Sequence, residues 1–280
     1  MAIGESWGRT FPASHKLRPR NWAHQSLPEN ETGETLLAYG LGKSYGDSCL
    51  NDGGILMPMQ GMEHVISFNR ETGILRCEAG ITLEAILQIC VPAGWFLPVV
   101  PGTKFITLGG AIANDIHGKN HHAAGTFGCH VHAMELLRSD NSRTLCTPKG
   151  NKNLFNATIG GLGLTGLITW AEIKLKKISS SCIEMESIKV RDLDEFLDVS
   201  ANSDQDFEYT VSWLDSLAKG RSSGKGVFLR GNHSTDSNRG LEVHSPPKLP
   251  WPIDGKITSA KECNILLYSF ACCIRKSVHL

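Results

Sequence analysis

Residues 101–120, PGTKFITLGGAIANDIHGKN, constrain this chain more than any other stretch of it. They follow an apolar run, residues 95–100, and gather Gly, Thr, Ala and Asn around two turns. Side chains this small leave backbone N–H groups uncovered, and uncovered N–H groups in successive turns form a concave anion cradle. Such a cradle suits a pyrophosphate, so a dinucleotide is the first ligand to expect. Gly109-Gly110 alone would read as an ordinary loop. Nearly twenty residues of this composition, closing on His117, read as a ligand site.

The flanking chain supplies the framework. Residues 35–39 form a short apolar strand that runs into Gly40, Leu41 and Gly42, and a second strand is expected over residues 54–59. Residues 65–69 and 74–78 continue the β pattern. Thr82 is placed to cap a helix over residues 83–90, whose Leu83, Ile86, Leu87 and Cys90 share one face. Pro92 and Gly94 end it, and residues 95–100 read as a buried strand. A hairpin is expected from residues 133–138 and 143–147 about the turn at 139–142. A short helix follows at residues 151–157, then a glycine-rich turn at 159–166 and a long strand over 167–177. Strands with occasional helices, in no strict alternation, indicate an α+β fold. Residues 179–181, three serines, mark a boundary, and residues 183–230 carry pieces of a second domain. Residues 233–252 are rich in Ser, Asn, Gly and Pro, and the tail beyond has no clear period.

Bulk properties exclude several function classes. A 41% hydrophobic fraction over 280 residues is ample for a core. Lys plus Arg equals Asp plus Glu, 28 each, so no global field draws the chain to nucleic acid. No apolar run reaches the roughly 18 residues of a membrane span, and residues 1–20 carry no signal-peptide core. Nine cysteines without any C-x-x-C fit neither a disulfide framework nor a zinc site. A reducing compartment, the cytoplasm, is the expectation.

Three motifs invite more than they support. Residues 161–166, GLGLTG, match G-x-G-x-x-G, but the Rossmann motif needs a strand before it and a helix after it, and the order here is reversed. Gly42-Lys43-Ser44 resembles the end of a P-loop, yet Leu37 stands where its first glycine belongs. His117, His121, His122, His130 and His132 crowd one segment, but their spacing lacks a matched ligand set. No metal is expected.

Taken together, GLGKSYGDS (40–48), the segment 101–128 with its HGKNHH and AGTFG runs, and IGGLGLTGLI (159–168) resemble the PCMH-type FAD-binding domain of the vanillyl-alcohol oxidase superfamily. The likeness covers roughly residues 7–230 and is strongest to members that act on a polyprenyl-phosphoryl pentose. The resemblance implies an α+β, two-subdomain FAD-binding domain over 7–178, a partial substrate domain over 183–250 and a non-matching tail over 251–280. It implies that Gly40, Gly42, Lys43, Ser44, Tyr45, Gly46 and Asp47, with Gly102, Thr103, Thr107, Leu108, Gly109 and Gly110, hold the diphosphate and ribityl chain. Asn114, Asp115, Ile116 and His117 would lie along the flavin, and Ile168 would close over the nucleotide. Many members bond the flavin to a histidine where this chain has Lys43, so FAD is expected to be non-covalent.

The implied activity is oxidation of a secondary sugar hydroxyl, with Tyr45, His117 and Lys119 at the site and Lys119 on a substrate phosphate. The implied partners are a sugar or lipid-linked sugar and an NAD(P)-dependent reductase that completes an epimerisation. A lipid-linked substrate would bring the protein to the membrane periphery. Members of the family continue past 280 residues, so the chain reads as truncated. A sugar-lactone or polyol oxidase and a non-catalytic FAD-binding fragment stay open beside the first reading.

Overall fold

The computed structural model describes residues 3–29, 33–220, 223–236, 240–242 and the backbone of Ile274–Lys276. The expected non-matching tail, residues 251–280, otherwise lies outside the described residues. The strands in chain order are β1 (Lys16–Leu17), β2 (Leu36–Tyr39), β3 (Ile55–Pro58), β4 (Val65–Asn69), β5 (Ile74–Glu78), β6 (Trp95–Phe96), β7 (Val131–Leu137), β8 (Arg143–Cys146), β9 (Leu167–Lys174), β10 (Lys176–Lys177), β11 (Ile183–Val190), β12 (Tyr209–Leu214), β13 (Gly226–His233) and β14 (Ile274–Lys276). The α-helices are α1 (Leu83–Cys90), α2 (Leu108–Ala113), α3 (His121–Ala124), α4 (Lys152–Thr158) and α5 (Leu193–Ser203). The mixture is the α+β class that the pattern predicts.

The chain divides into two compact units that are discontinuous in sequence. The first comprises Met1–Ile86, Lys104–Ile116 and Thr126–Lys176, and the second Leu87–Thr103, His117–Gly125 and Lys177–Leu280. The first unit holds a parallel three-stranded sheet, β1-β3-β2, and an antiparallel five-stranded sheet, β4-β5-β9-β7-β8. Parallel strands are buried on both faces, and β3 is buried at all four residues, as its apolar run requires. Ile55, Met57, Met59, Met62, Leu137 and Leu167 form a cluster that joins the two sheets. In the large sheet β9 is central, and from Thr169 onward its buried and half-buried residues alternate.

The helix predicted from the 83, 86, 87, 90 spacing is present with those bounds, and all four residues are fully buried. Thr82 caps it, its hydroxyl accepting from Ala85 N–H at 3.1 Å. The glycine-rich segment differs from its expected two turns, because residues 108–113 form α2. Glycines weaken a helix by their freedom in the unfolded chain, which hid this element from the pattern. Here Gly109 is needed for close approach: a Cβ on it would lie 3.0 Å from that of Ala79, and its N–H donates to the Ala79 carbonyl at 2.8 Å.

In the second unit, β12-β13-β11-β14 form a sheet in which β13 pairs antiparallel with both β12 and β11, while β14 joins β11 in parallel. Helix α5 packs on β13 and β11, with Phe196 and Phe228 ring centroids 6.0 Å apart. Asp192 caps it through a bond from Glu195 N–H at 2.9 Å.

The buried strand expected over residues 95–100 is corrected: only Trp95–Phe96 is strand, although Leu97, Val99 and Val100 are buried. Pro98 has no N–H to give a ladder. The backbone there is satisfied instead by Asn120, fully buried, whose amide donates to the Pro98 carbonyl at 2.8 Å and accepts from Val100 N–H at 3.2 Å. The strand expected over 167–177 also ends early, at Lys174, where Leu175 N–H turns to the Gly73 carbonyl.

Candidate functional site

The first unit contains a cavity of about 370 Å³. Its walls come from three stretches that the sequence singled out by their glycines. Residues 40–46 with Ser48 and Cys49 supply one wall, Ile106, Thr107, Gly109, Gly110, Ala113, Asn114 and Ile116 a second, and Leu162, Gly163, Gly166 and Ile168 a third. Ala38 and Met59, at the ends of β2 and β3, and Ala79, just past β5, complete it.

Each wall has a local reason to be where it is. Residues 40–46 leave the C-terminal end of β2, where a parallel strand delivers its loop. Leu108 N–H donates to the Ile81 carbonyl at 2.8 Å, and Thr107 Oγ1 accepts from Gly110 N–H at 3.2 Å, so α2 starts at a fixed point on the cavity rim. Residues 160–163 are held onto α2 by bonds from Gly160 N–H to the Ile112 carbonyl and from Leu162 N–H to the Ala113 carbonyl. A Cβ on Gly40 would lie 2.5 Å from Thr107 Oγ1, so only glycine lets the first loop and α2 come this close.

The donor set fits a dinucleotide. Among the described residues, no protein group accepts from the backbone N–H of Gly42, Lys43, Tyr45 or Gly46. Gly42 is buried, and a buried N–H without an acceptor is costly unless a ligand supplies one. Among the described residues, Lys43 carries the only charge in the lining. The rest of the lining is small or apolar, as a planar ring and a ribityl chain require. Burial pushes the Cys49 thiol up from its ordinary value, against the opposing pull of hydrogen bonds from Ser44. It is therefore a neutral wall group near pH 7.

Of the residues named from sequence, the cavity brings together Gly40, Gly42, Lys43, Ser44, Tyr45, Gly46, Thr107, Gly109, Gly110, Asn114, Ile116 and Ile168. Asp47 is exposed beside the first loop, and Leu108, the first residue of α2, is fully buried. The Asp115 carboxylate accepts from Gly128 N–H at 2.8 Å and is not part of the lining. Gly102, Thr103, His117 and Lys119 belong to the second unit. There Lys119 N–H donates to the Val100 carbonyl at 2.9 Å, and the Lys119 carbonyl accepts from Thr210 N–H at 2.9 Å. The His117 ring is exposed and lies edge-on to His121 at 5.9 Å. Among the described residues no three His, Cys, Asp or Glu side chains are grouped to hold a metal ion.

Sequence reasoning missed Ala38, Cys49, Met59, Ala79, Ala113, Leu162, Gly163 and Gly166 as lining residues. Position at the ends of β2 and β3 is the signal that would have found the first wall. Leu162, Gly163 and Gly166 sit inside the reversed G-x-G-x-x-G motif, where close backbone approach was the surviving reading.

A framework of two α+β sheets around an uncovered N–H cradle defines an FAD-binding domain. Residues 29–147 match the family model described as FAD binding domain. Decaprenylphosphoryl-beta-D-ribose oxidase of Mycolicibacterium smegmatis is 36% identical to this chain over 238 residues, 81% of the chain and 51% of that protein. Human Delta(24)-sterol reductase is 30% identical over 117 residues, 42% of the chain and 23% of that protein. A D-lactate dehydrogenase of Anaerostipes hadrus is 26% identical over 141 residues, 48% of the chain and 29% of that protein. The chain thus spans about half the length of the first of these relatives and less of the other two. The names are those of oxidoreductases, and FAD is the cofactor that the family carries.

Proposed function

We propose that the chain binds FAD non-covalently in the first unit's cavity and serves the oxidation of a secondary hydroxyl on a sugar. The sugar is a polyprenyl-phosphoryl pentose, oxidised at its 2′-hydroxyl. The observation that carries the cofactor part is the cradle beside α2 in which, among the described residues, the N–H groups of Gly42, Lys43, Tyr45 and Gly46 have no protein acceptor and Gly42 is buried. The likeness to decaprenylphosphoryl-beta-D-ribose oxidase supports the substrate part. FAD, when bound, supplies a hydride acceptor.

The chain's own groups have separable tasks. The N–H groups of Gly42, Lys43, Tyr45 and Gly46 bind the diphosphate, and the Lys43 ammonium offsets its charge. The small side chains at Ala38, Gly109 and Ala113 leave room and exclude water. Lys43, unlike a histidine, forms no bond to the flavin ring, so the cofactor is released on unfolding. Tyr45 of the first unit and, separately, His117 and Lys119 of the second are the groups assigned to the substrate, Lys119 as a point charge for its phosphate. The product, a ketone, calls for an NAD(P)-dependent reductase as partner. No helix among the described residues is long and apolar enough to cross a membrane. A lipid-linked substrate would be met at the membrane surface from the cytoplasm.

The test is the visible spectrum of the purified protein and of the supernatant after acid precipitation. Twin flavin bands that move to the supernatant support dissociable FAD, and bands that stay with the polypeptide refute it. Bleaching by a polyprenyl-phosphoryl pentose, absent with free polyols, supports the substrate; bleaching by polyols alone assigns a polyol oxidase. Flavin bands that no sugar bleaches mark a non-catalytic FAD-binding chain. Lys119→Met is expected to weaken substrate about tenfold or more and FAD less than twofold, from the loss of a charge-assisted contact. Equal losses in substrate titrations and FAD titrations would sink the assignment of Lys119.

A further inference from the structure

Lys43, the one charged side chain that lines the cavity among the described residues, does not lie free within it. The Lys43 ammonium sits 4.5 Å from the ring centroid of Trp7. Trp7 is 53% exposed, which is unusual for so large a ring unless one face is in use. The backbone around it is tied to the cradle loop at several points. Trp7 N–H donates to the Ser44 carbonyl at 2.9 Å, and the Glu5 carbonyl accepts from the Tyr39 hydroxyl at 2.7 Å. A Cβ on Gly8 would lie 2.0 Å from the Tyr45 carbonyl oxygen, so the two backbones are in direct contact there. Residues 5–8 therefore form a strap along the outside of the loop whose N–H groups line the cavity.

A diphosphate brings two negative charges to a site with one cation, and the attraction falls with their separation. A lysine reaches its charge through four flexible carbons, so its contribution depends on what holds the ammonium near the rim. Indole is the strongest of the aromatic partners for a cation. We propose that Trp7 is a positioning residue for the cofactor's diphosphate: its indole holds the Lys43 ammonium at the cavity rim and so sets affinity for diphosphate-bearing ligands. This rests on the reading of the cavity as an FAD site.

The experiment is equilibrium binding of FAD, ADP and riboflavin to the full chain and its Trp7→Leu, Trp7→Phe, Lys43→Met and Trp7→Leu/Lys43→Met variants. Riboflavin has the ring but no diphosphate. Trp7→Leu is expected to weaken FAD and ADP about fivefold and riboflavin less than about twofold, with Trp7→Phe in between, following the order of cation–π strength. Lys43→Met is expected to weaken FAD and ADP at least as much, and adding Trp7→Leu to it to cost nothing more, because Trp7 acts through Lys43. Losses that multiply in the double variant overturn the proposal, as does a riboflavin loss equal to that for FAD. If Trp7→Leu does not fold, Trp7→Phe decides: a selective loss for FAD and ADP supports the role, while no loss or an equal loss for riboflavin overturns it. A wild-type chain that binds neither FAD nor ADP overturns the cofactor reading itself. Binding that Trp7→Leu leaves unchanged overturns only the role of Trp7.

Discussion

Gly40 has a hydrogen where any other residue would put a carbon 2.5 Å from the Thr107 hydroxyl oxygen. Thr107 is 3% exposed and already committed to capping α2, so it has no room to step aside and keep its bond. Gly40→Ala is therefore expected to destabilise the protein by about 1–3 kcal/mol, the usual range for overpacking, and to weaken FAD. In a Thr107→Ala background the same change should be close to neutral, because the offending oxygen is gone. Urea midpoints of the four proteins measure this, and a Gly40→Ala cost that persists without the hydroxyl would place the clash elsewhere. Asn120 is a residue of the same kind in the second unit, where one side chain replaces two ladder bonds. Asn120→Ala leaves the Val100 N–H and the Pro98 carbonyl buried and unpaired, so a loss of about 2–3 kcal/mol is expected in denaturant unfolding.

At the scale of elements, Thr107→Ala alone removes the cap of α2 and is expected to cost about 1 kcal/mol, read as a lower urea midpoint. A midpoint equal to wild type would mean that packing on β9, not the cap, fixes the start of this helix. Elements with a clean period were legible in the chain. Helix α1 declared itself through Leu83, Ile86, Leu87 and Cys90, and β4 and β5 have the bounds expected from short runs punctuated by glycine. Helix α2 was not legible, because Gly109 and Gly110 are poor helix formers, and Gly109 is set by contact with Ala79, which is distant in sequence. The strand ends near Val100 and Lys174 were misread because hydrophobicity reports burial, while strand length is decided by backbone partners. In the site, glycine-rich loops announced themselves through what they lack. The apolar walls at Ala38, Met59 and Ala79 look like any core residue until the sheet places them.

Across the whole molecule, buried acidic protons set the alkaline limit of stability. Burial pushes the Cys77 thiol up to about 12 and also raises the Tyr39 phenol. In the unfolded chain a thiol ionises at its ordinary value near 8.5. A group whose pKa is raised on folding stabilises fully below its unfolded value and loses that contribution as pH climbs toward the folded one. Stability should thus fall above about pH 8.5 and toward pH 12, at up to about 1.4 kcal/mol per pH unit for each such group. Urea midpoints at pH 7, 9 and 10 measure the slope, and Cys77→Ala should make it shallower while lowering the midpoint at pH 7. A slope that Cys77→Ala leaves unchanged would assign the alkaline limit to Tyr39 and the other raised groups.

The discontinuity of the two units bears on how the protein is made. Neither unit is a continuous stretch: the first resumes after each of two excursions and ends only at Lys176. The cavity takes walls from residues as far apart as Ala38 and Ile168. A nascent chain emerges at roughly 5–20 residues per second, amino terminus first. On the ribosome the cradle loops are therefore exposed for several seconds before β9 arrives to complete the sheet beneath them. Cofactor capture is accordingly a late event of biosynthesis, open only to chains that have been translated past Ile168.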